Sequence, residues 1–357
     1  MVRVLCAATI AGLALSWRLW VSYQRLYPRS PIDDFPLAPV WLEGAACVLL
    51  IGFLIAACIR PRSAVLLRAV VVMVALFVAG DQSRLQPWIY EYAALLLAIS
   101  FGSAALPTCR LIVASMYFWS GIQKMNVTFL HTTWPDFAQP LLRVAPQLRA
   151  AGFVVPVLEC AIGIALVARR TRRVAVIAVI VLHIGILAML IGSRENVAVW
   201  PWNAAMALVA ALLFFNNAEP ASNILVNRKF AGHALFAIAF GVMPLFSLAG
   251  WWDAYLSSAL YSGNTAQAVV FLDPTMLARL PPQLLEYVWQ ASEPMFLDIN
   301  RWSYGELGVP AYPAPRVLRH IGLEVCRDFR LRGARVRIVD PPDWRTGKSE
   351  FETIVCR

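Results

Sequence analysis

Long apolar runs separated by short polar connections make up residues 1–251 of the chain. Each run approaches the roughly 20 residues that an α-helix needs to cross a bilayer. We therefore predict membrane-spanning helices over nine segments: 2–23, 38–59, 63–80, 88–106, 109–125, 152–169, 174–192, 199–216 and 231–250. The first run contains Arg18 and has no small-x-small cleavage site before Pro28, so we interpret it as a retained helix and not as a signal peptide.

A different pattern begins after Trp252, where prolines and charges become frequent and no further apolar run of membrane-spanning length occurs. We predict that residues 252–357 form a small water-exposed α/β domain attached to an all-α polytopic membrane domain over residues 1–251. The predicted elements of the smaller domain are strands over 266–272, 335–339 and 351–356 and a helix over 315–329.

The basic residues of the connections set the expected orientation. They occupy alternate connections: Arg60, Arg62, Arg110, Arg169, Arg170, Arg172, Arg173, Arg228 and Lys229. Because positively charged loops stay in the cytoplasm, we predict a bacterial inner-membrane protein, surrounded by membrane lipid, with its N-terminus inside and residues 252–357 outside. In that oxidising compartment Cys326 and Cys356 would form a disulfide, and the alternative is two separate thiols.

Composition agrees with a membrane protein. The chain is 60% hydrophobic, with a mean hydropathy of +0.64 and a net charge of +10. This charge does not indicate nucleic-acid binding, because the basic residues cluster in the short connections between apolar runs. The four histidines and seven cysteines show no metal-ligand spacing, so we expect no metal.

Polar side chains inside the predicted spans concentrate toward the outer side. With a rise of about 1.5 Å per helical residue, the following residues lie at or above the middle of their spans: Asp81, Arg84, Glu91, Lys124, Glu159, His183 and Asn203. This asymmetry predicts one polar cavity that opens outward and has aromatic walls, although an interfacial aromatic belt would also account for most of the aromatic residues. Residues 127–150 are expected to lie at the outer interface or to close over that cavity.

Arg18 and Glu43 lie at matching depth, so we predict a structural ion pair between them.

Lys124 ends an apolar helix and shares one face with Tyr117, Ser120 and Gly121 through their i, i+3, i+4 and i+7 spacing. A lysine shielded from water at this depth could act as a base near neutral pH. The alternative is a structural ion pair with Asp81, Glu91 or Glu159. His183 leaves a similar choice open between a proton carrier and a core histidine that bonds a neighbour.

The segment Tyr117-Phe-Trp-Ser-Gly-Ile-Gln-Lys124 resembles the Y-F-x-[AS]-G-x-x-K stretch of the vitamin K-dependent γ-carboxylases and their bacterial relatives with the horizontally transferred transmembrane domain. More loosely, it is similar to DoxX-type redox membrane proteins. The segments Asp81–Trp88 and Pro201–Asn203, together with His183, fit a bacterial branch of the same group. The resemblance covers residues 75–215.

The resemblance implies that Lys124 is a base that acts on a reduced quinone at the outer side of the membrane. The short outer domain over 252–357 has no counterpart to the large lumenal domain that holds the protein substrate of the carboxylases, so glutamate carboxylation is not expected. Despite this difference, the resemblance still implies binding of a quinone or another isoprenoid lipid.

Two functions follow from these observations as hypotheses. In the first, a quinone or isoprenoid lipid supports redox-linked chemistry in the outer cavity. Its catalytic residues would be Lys124, His183 and Glu159, and its ligand-binding residues Asp81, Arg84, Glu91, Tyr117 and Asn203. In the second, the chain is a non-enzymatic accessory subunit whose outer domain binds an exported protein or peptide, and the buried polar groups are mutual ion pairs.

Overall fold

The computed structural model describes residues 1–33, 35–193 and 196–357. Helices form at the positions of all nine apolar runs. They are α1 (Val2–Leu15), α2 (Val40–Ile59), α3 (Ala64–Gly80), α4 (Pro87–Ile99), α5 (Leu106–Lys124), α6 (Val154–Val167), α7 (Arg172–Ser193), α8 (Trp200–Phe214) and α9 (His233–Ala249). The helix α9 is irregular, because its turn Ala237–Val242 is a π-helix.

Short helical turns extend or connect these helices. They are Trp17–Trp20, Gln82–Arg84, Ser103–Ala105, Phe129–Thr133, Trp134–Phe137, Gln139–Leu142, Pro146–Phe153, Val197–Val199 and Ala221–Leu225. Within the described residues, four helical segments are long and apolar enough to cross a membrane: Val40–Ile59, Pro146–Val167, Arg172–Ser193 and Val197–Phe214. The apolar helices α1, α3, α4 and α9 are shorter. These helices fit a membrane protein, and the count of nine spans and the orientation stay predictions.

The part of the chain after Trp252 contains a five-stranded antiparallel sheet in the order β2-β3-β1-β4-β5. Its strands are β1 (Gln267–Leu272), β2 (Val288–Trp289), β3 (Met295–Asp298), β4 (Arg335–Val339) and β5 (Phe351–Val355). Two helices, α10 (Ile299–Leu307) and α11 (Pro315–Asp328), pack with it, and short turns lie at Tyr255–Ser257, Pro274–Arg279 and Pro282–Leu285.

The three predicted strands and the predicted helix over 315–329 are confirmed, each to within one residue at either end. The helix α11 is strongly amphipathic, and the side chains of Val317, Ile321 and Val325 bury its apolar face on the sheet. A disulfide joins Cys326, near the end of α11, to Cys356, which directly follows β5. Strands β2 and β3 were not predicted, because runs of two and four residues are too short to show alternation.

Polar contacts fix the sheet domain on the helices. The Glu306 carboxylate accepts hydrogen bonds from the backbone N–H groups of Leu26 and Tyr27, at 2.5 and 2.9 Å. Arg316 forms an ion pair with Asp253 and also donates to the side-chain oxygen of Gln82. The domain is therefore held against the segments that follow α1 and α3 by hydrogen bonds at several points.

Acid should weaken the ion pair between Arg316 and Asp253. Burial tends to raise the pKa of Asp253, but hydrogen bonds from Arg316 and Tyr312 outweigh this and hold the pKa below its usual 3.8. A carboxyl group with a lowered folded-state pKa stabilises the fold above its unfolded-state pKa, and this contribution is lost as the pH falls through the folded-state value. We expect the thermal midpoint of the wild-type chain to fall more steeply below pH 4 than that of Asp253→Asn. Parallel pH profiles of the two chains would contradict this prediction.

Two glycines allow α5 and α6 to approach closely. A Cβ atom at Gly121 would lie 2.4 Å from the carbonyl oxygen of Pro156, and one at Gly163 would lie 2.7 Å from that of Ala114. Because the obstructing atoms are backbone, Gly163→Ala should lower the free energy of unfolding by about 1–3 kcal/mol. The control Gly52→Ala, whose Cβ meets nothing within 4 Å, should not destabilise the helix. Thermal unfolding in detergent compares them, and equal midpoints would refute the close packing.

Candidate functional site

A cavity of about 200 Å³ lies among α4, α5, α6, α7 and α8. Its walls are mostly apolar and aromatic, and six of the predicted site residues line it: Glu91, Tyr117, Lys124, Glu159, His183 and Asn203. These six side chains belong to five different helices, all of which the apolar pattern places in the membrane domain. Such a cavity, apolar with a few converging polar groups, is typical of small-molecule sites.

Lys124 lies at the C-terminal end of α5 and points to α6. Its Nζ atom is 2.8 Å from Oε2 of Glu159 and donates to the Ser120 hydroxyl at 2.5 Å. Both partners are buried, with side-chain exposures of 9% and 5%. Of the three carboxylates that depth alone left open, Glu159 is therefore the partner of Lys124. The pair places an ammonium and a carboxylate side by side at the cavity wall, where one proton can be shared between them.

A second polar chain runs through Tyr117, His183 and Asn203. The Tyr117 hydroxyl lies 2.6 Å from Nε2 of His183, and Nδ1 of His183 lies 2.8 Å from Oδ1 of Asn203. Because the Asn203 amide NH₂ donates to the backbone oxygen of Val199, its Oδ1 faces the imidazole as an acceptor. Nδ1 therefore carries the proton, and Nε2 accepts from the Tyr117 hydroxyl.

This arrangement changes the role of the histidine. His183 lines the cavity, but both of its ring nitrogens are already hydrogen-bonded. Tyr117 also lines the cavity, and its hydroxyl oxygen keeps a lone pair that a ligand could use. His183 would act on a ligand through Tyr117 and not directly.

Glu91 offers an acceptor that no described residue uses. The Trp202 indole N–H donates to its Oε2 at 3.0 Å, whereas its Oε1 is buried without a hydrogen-bond partner among the described residues. A buried polar atom in this state costs about 1–3 kcal/mol. A ligand that donates a hydrogen bond inside the cavity would remove that cost. Trp202 was not predicted as a site residue, because a tryptophan at the end of a span is usually part of an interfacial belt.

Asp81 and Arg84, which were predicted as ligand-binding residues, do not line this cavity. Asp81 forms a buried ion pair with Arg25 at 2.8 Å. Arg84 is 2.8 Å from Glu43 and donates to the backbone oxygens of Leu19 and Phe77. They belong to a separate ion-pair cluster formed by the segment after α1, the start of α2 and the end of α3.

The predicted Arg18–Glu43 ion pair is also wrong. The backbone departs from helical geometry at Ser16, which ends α1, and Arg18 in the following turn is exposed, with its guanidinium over the ring of Trp17. Glu43 is paired instead with Arg84, at 2.8 Å, and with Arg29, at 3.2 Å. The prediction used depth along a continuous helix over residues 2–23, and the break at Ser16 ends that helix before Arg18.

Two other parts of the chain complete the cavity. From the connection 127–150, Phe129, Trp134 and Phe137 line it, so this segment closes over the cavity. Residues 255–261, which sequence analysis assigned to the water-exposed domain, contribute Tyr255, Ser258, Leu260 and Tyr261. The only signal for this second contribution is the apolar character of a segment that directly follows the last predicted span.

Comparison of the chain with protein-family models, with curated proteins and with solved structures found no match.

Proposed function

We propose that the chain binds a quinone or another isoprenoid lipid in the cavity beside Lys124 and Glu159, and that the bound ligand takes part in redox-linked chemistry at the outer side of a bacterial inner membrane. The observation that carries this proposal is the convergence of six polar residues from five apolar helices on one largely apolar cavity. The resemblance of residues 117–124 to the γ-carboxylase relatives supports it, and assignment to that group is part of the proposal.

The residues of the cavity fit a quinone. A quinone ring is flat and has oxygen atoms on opposite edges, and it supplies a reversible couple of two electrons and two protons. The stacked rings of Tyr90 and Phe240, with centroids 4.8 Å apart, form part of the flat apolar wall. Polar atoms reach the cavity from several helices, and the unpartnered Oε1 of Glu91 is suited to a hydroxyl group on the ring.

The protein groups have distinct roles in this proposal. Lys124 and Glu159 hold one proton between them beside the ligand, and Lys124 is the base that removes a proton once its own has passed to Glu159. The Tyr117 hydroxyl exchanges a proton with the ligand, and His183 takes or returns that proton through Nε2. Asn203 positions the imidazole by accepting from Nδ1.

Fluorescence quenching tests the proposal. A benzoquinone with a decyl chain should quench the cavity residues Trp134 and Trp202 in the detergent-solubilised full chain. Glu91→Gln and Tyr117→Phe should each weaken binding of the reduced hydroquinone form, measured by its displacement of the benzoquinone, about tenfold, which corresponds to one lost hydrogen bond from a ligand hydroxyl. Arg332→Gln, an exposed arginine in the sheet domain, should bind like the wild type. Absence of saturable quenching, or equal affinity in all variants, would refute the proposed site.

A second candidate function has one observation in its favour. Strand β5 is an edge of the sheet, is paired with β4, and exposes Phe351 and Val355. An extended peptide can add to such an edge as a further strand. In this case the chain would be a non-enzymatic accessory subunit that binds an exported protein. Native mass spectrometry of the purified chain discriminates the two, since a retained quinone favours the first function and a stoichiometric protein partner favours the second.

A further inference from the structure

A second cavity, of about 460 Å³, adjoins the first at Lys124, which lines both. Three segments form its other walls: Met125, Asn126, Val127 and Leu130 after α5, then Phe153, Pro156 and Val157 at the start of α6, and finally Trp344 and Arg345 between β4 and β5. Most of these side chains are apolar. Since Lys124 is common to both cavities, the Lys124–Glu159 pair stands at the boundary between them.

The second cavity opens on an apolar surface. Phe153 and Val157, which line it, are 65% and 59% exposed, and the neighbouring Val154 is 59% exposed. All three belong to Pro146–Val167, one of the segments that are long and apolar enough to cross a membrane. Such a surface faces lipid chains when the helix lies in a bilayer. The opening therefore leads into lipid and not into water.

The connection between β4 and β5 forms the outer rim of this opening. The backbone N–H of Val127 donates to the carbonyl oxygen of Trp344 at 3.1 Å, which ties the tip of the connection to the segment after α5. The Asp343 carboxylate accepts from the backbone N–H groups of Arg345 and Thr346 and thereby fixes the turn. The guanidinium of Arg345 lies 4.4 Å from the centre of the Trp344 ring. Tryptophan and arginine together are typical of the bilayer surface.

We propose that the second cavity is a lateral entrance, through which an isoprenoid-tailed ligand passes from the bilayer into the first cavity and in which its tail remains. The proposal rests on the proposed function for the identity of the ligand. The first cavity, at about 200 Å³, is smaller than the roughly 300–1,000 Å³ of pockets that enclose drug-sized ligands. It accommodates a ring but not a long tail, and the adjoining apolar cavity, which meets it at Lys124, would hold the tail on the way to lipid.

Narrowing the entrance should change rates and leave the affinity for a tailless ligand unaltered. Val157→Phe places a larger side chain in the opening, and Val154→Phe is the matched control on the same exposed surface outside both cavities. With the decyl-chain benzoquinone, Val157→Phe should slow association and dissociation about tenfold, because an obstruction acts on both directions of passage. The dissociation constant of a benzoquinone without the chain should be the same in Val157→Phe, Val154→Phe and wild type. Stopped-flow quenching measures all three.

A cross-linking measurement on the wild-type chain does not depend on any variant folding. A decyl-chain benzoquinone with a diazirine at the end of its chain should label Phe153, Val157 or Trp344, as mapped by peptide mass spectrometry. Labelling of other helices, or unchanged rates in Val157→Phe, would overturn the entrance while saturable quenching keeps the proposed function. If neither benzoquinone binds the wild-type chain, the proposed function is refuted, and the ligand assigned to the entrance with it.

Discussion

Lys124→Met should unfold more easily than the wild-type chain by about 3–5 kcal/mol, because it leaves the buried carboxylate of Glu159 without its cation. Glu159→Leu should have a similar effect, because it leaves the buried ammonium of Lys124 without its carboxylate partner. The double variant Lys124→Met/Glu159→Leu should recover most of the loss, because apolar groups of similar volume replace a buried ion pair at little cost. Thermal unfolding of the four chains in detergent gives the coupling energy, and additive single effects would contradict the pairing.

The same four chains distinguish chemistry from structure. If Lys124 is the base, the double variant is stable and binds the decyl-chain benzoquinone, but its quinone-linked turnover is abolished. If the pair only holds α5 to α6, the double variant retains binding and turnover. Turnover at the wild-type level in a stable double variant would reject the catalytic role of Lys124 and Glu159. Lys124→Ala should likewise abolish turnover.

Arg84→Met should have an equally large effect, at a site that the ligand does not reach. Arg84 is buried, forms an ion pair with Glu43 and donates to the backbone oxygens of Leu19 and Phe77. Its removal leaves Arg29 as the remaining cation of Glu43 and costs three buried hydrogen bonds, which together should lower the free energy of unfolding by about 3–5 kcal/mol.

Arg319→Met is the control for Arg84→Met. Arg319 is paired with Glu352 at an exposed position, where an ion pair contributes about 0–1 kcal/mol. Both variants should bind the decyl-chain benzoquinone with wild-type affinity below their unfolding temperatures. If Arg84→Met lost binding with little loss of stability, Arg84 would belong to the ligand site. Its assignment to the separate ion-pair cluster would then be contradicted.

Depth in the helices was predictable from the sequence, and direction around the helix axis was not. The rise per residue gives the position of a side chain along its helix, and Glu91, Lys124 and Asn203, which it placed at one level, line one cavity. Asp81, which it placed at a similar level, pairs with Arg25 and does not line that cavity. Rotation depends on how neighbouring helices pack, as at Gly121 and Gly163, and no local pattern encodes it.

The errors in the fold have equally local causes. Arg18 was paired with Glu43 from depth alone, because the break at Ser16 lies within an unbroken apolar run. The partners that Glu43 has in the structure, Arg84 and Arg29, were not considered for it. The helix α11, by contrast, was predictable because its apolar face repeats over 14 residues after an initial proline. Strong periodicity over a long segment survives tertiary packing, whereas short elements are decided by it.

The contribution of residues 255–261 to the cavity has a consequence for how the protein is made. Until synthesis has passed Tyr261, the cavity lacks the side chains of Tyr255, Leu260 and Tyr261, although all five helices that carry its polar residues are already present. The cavity is therefore completed only after these five helices have been made, and before the five-stranded sheet. A chain shortened to residues 1–251 would contain all six predicted site residues that line the cavity and still lack one of its walls.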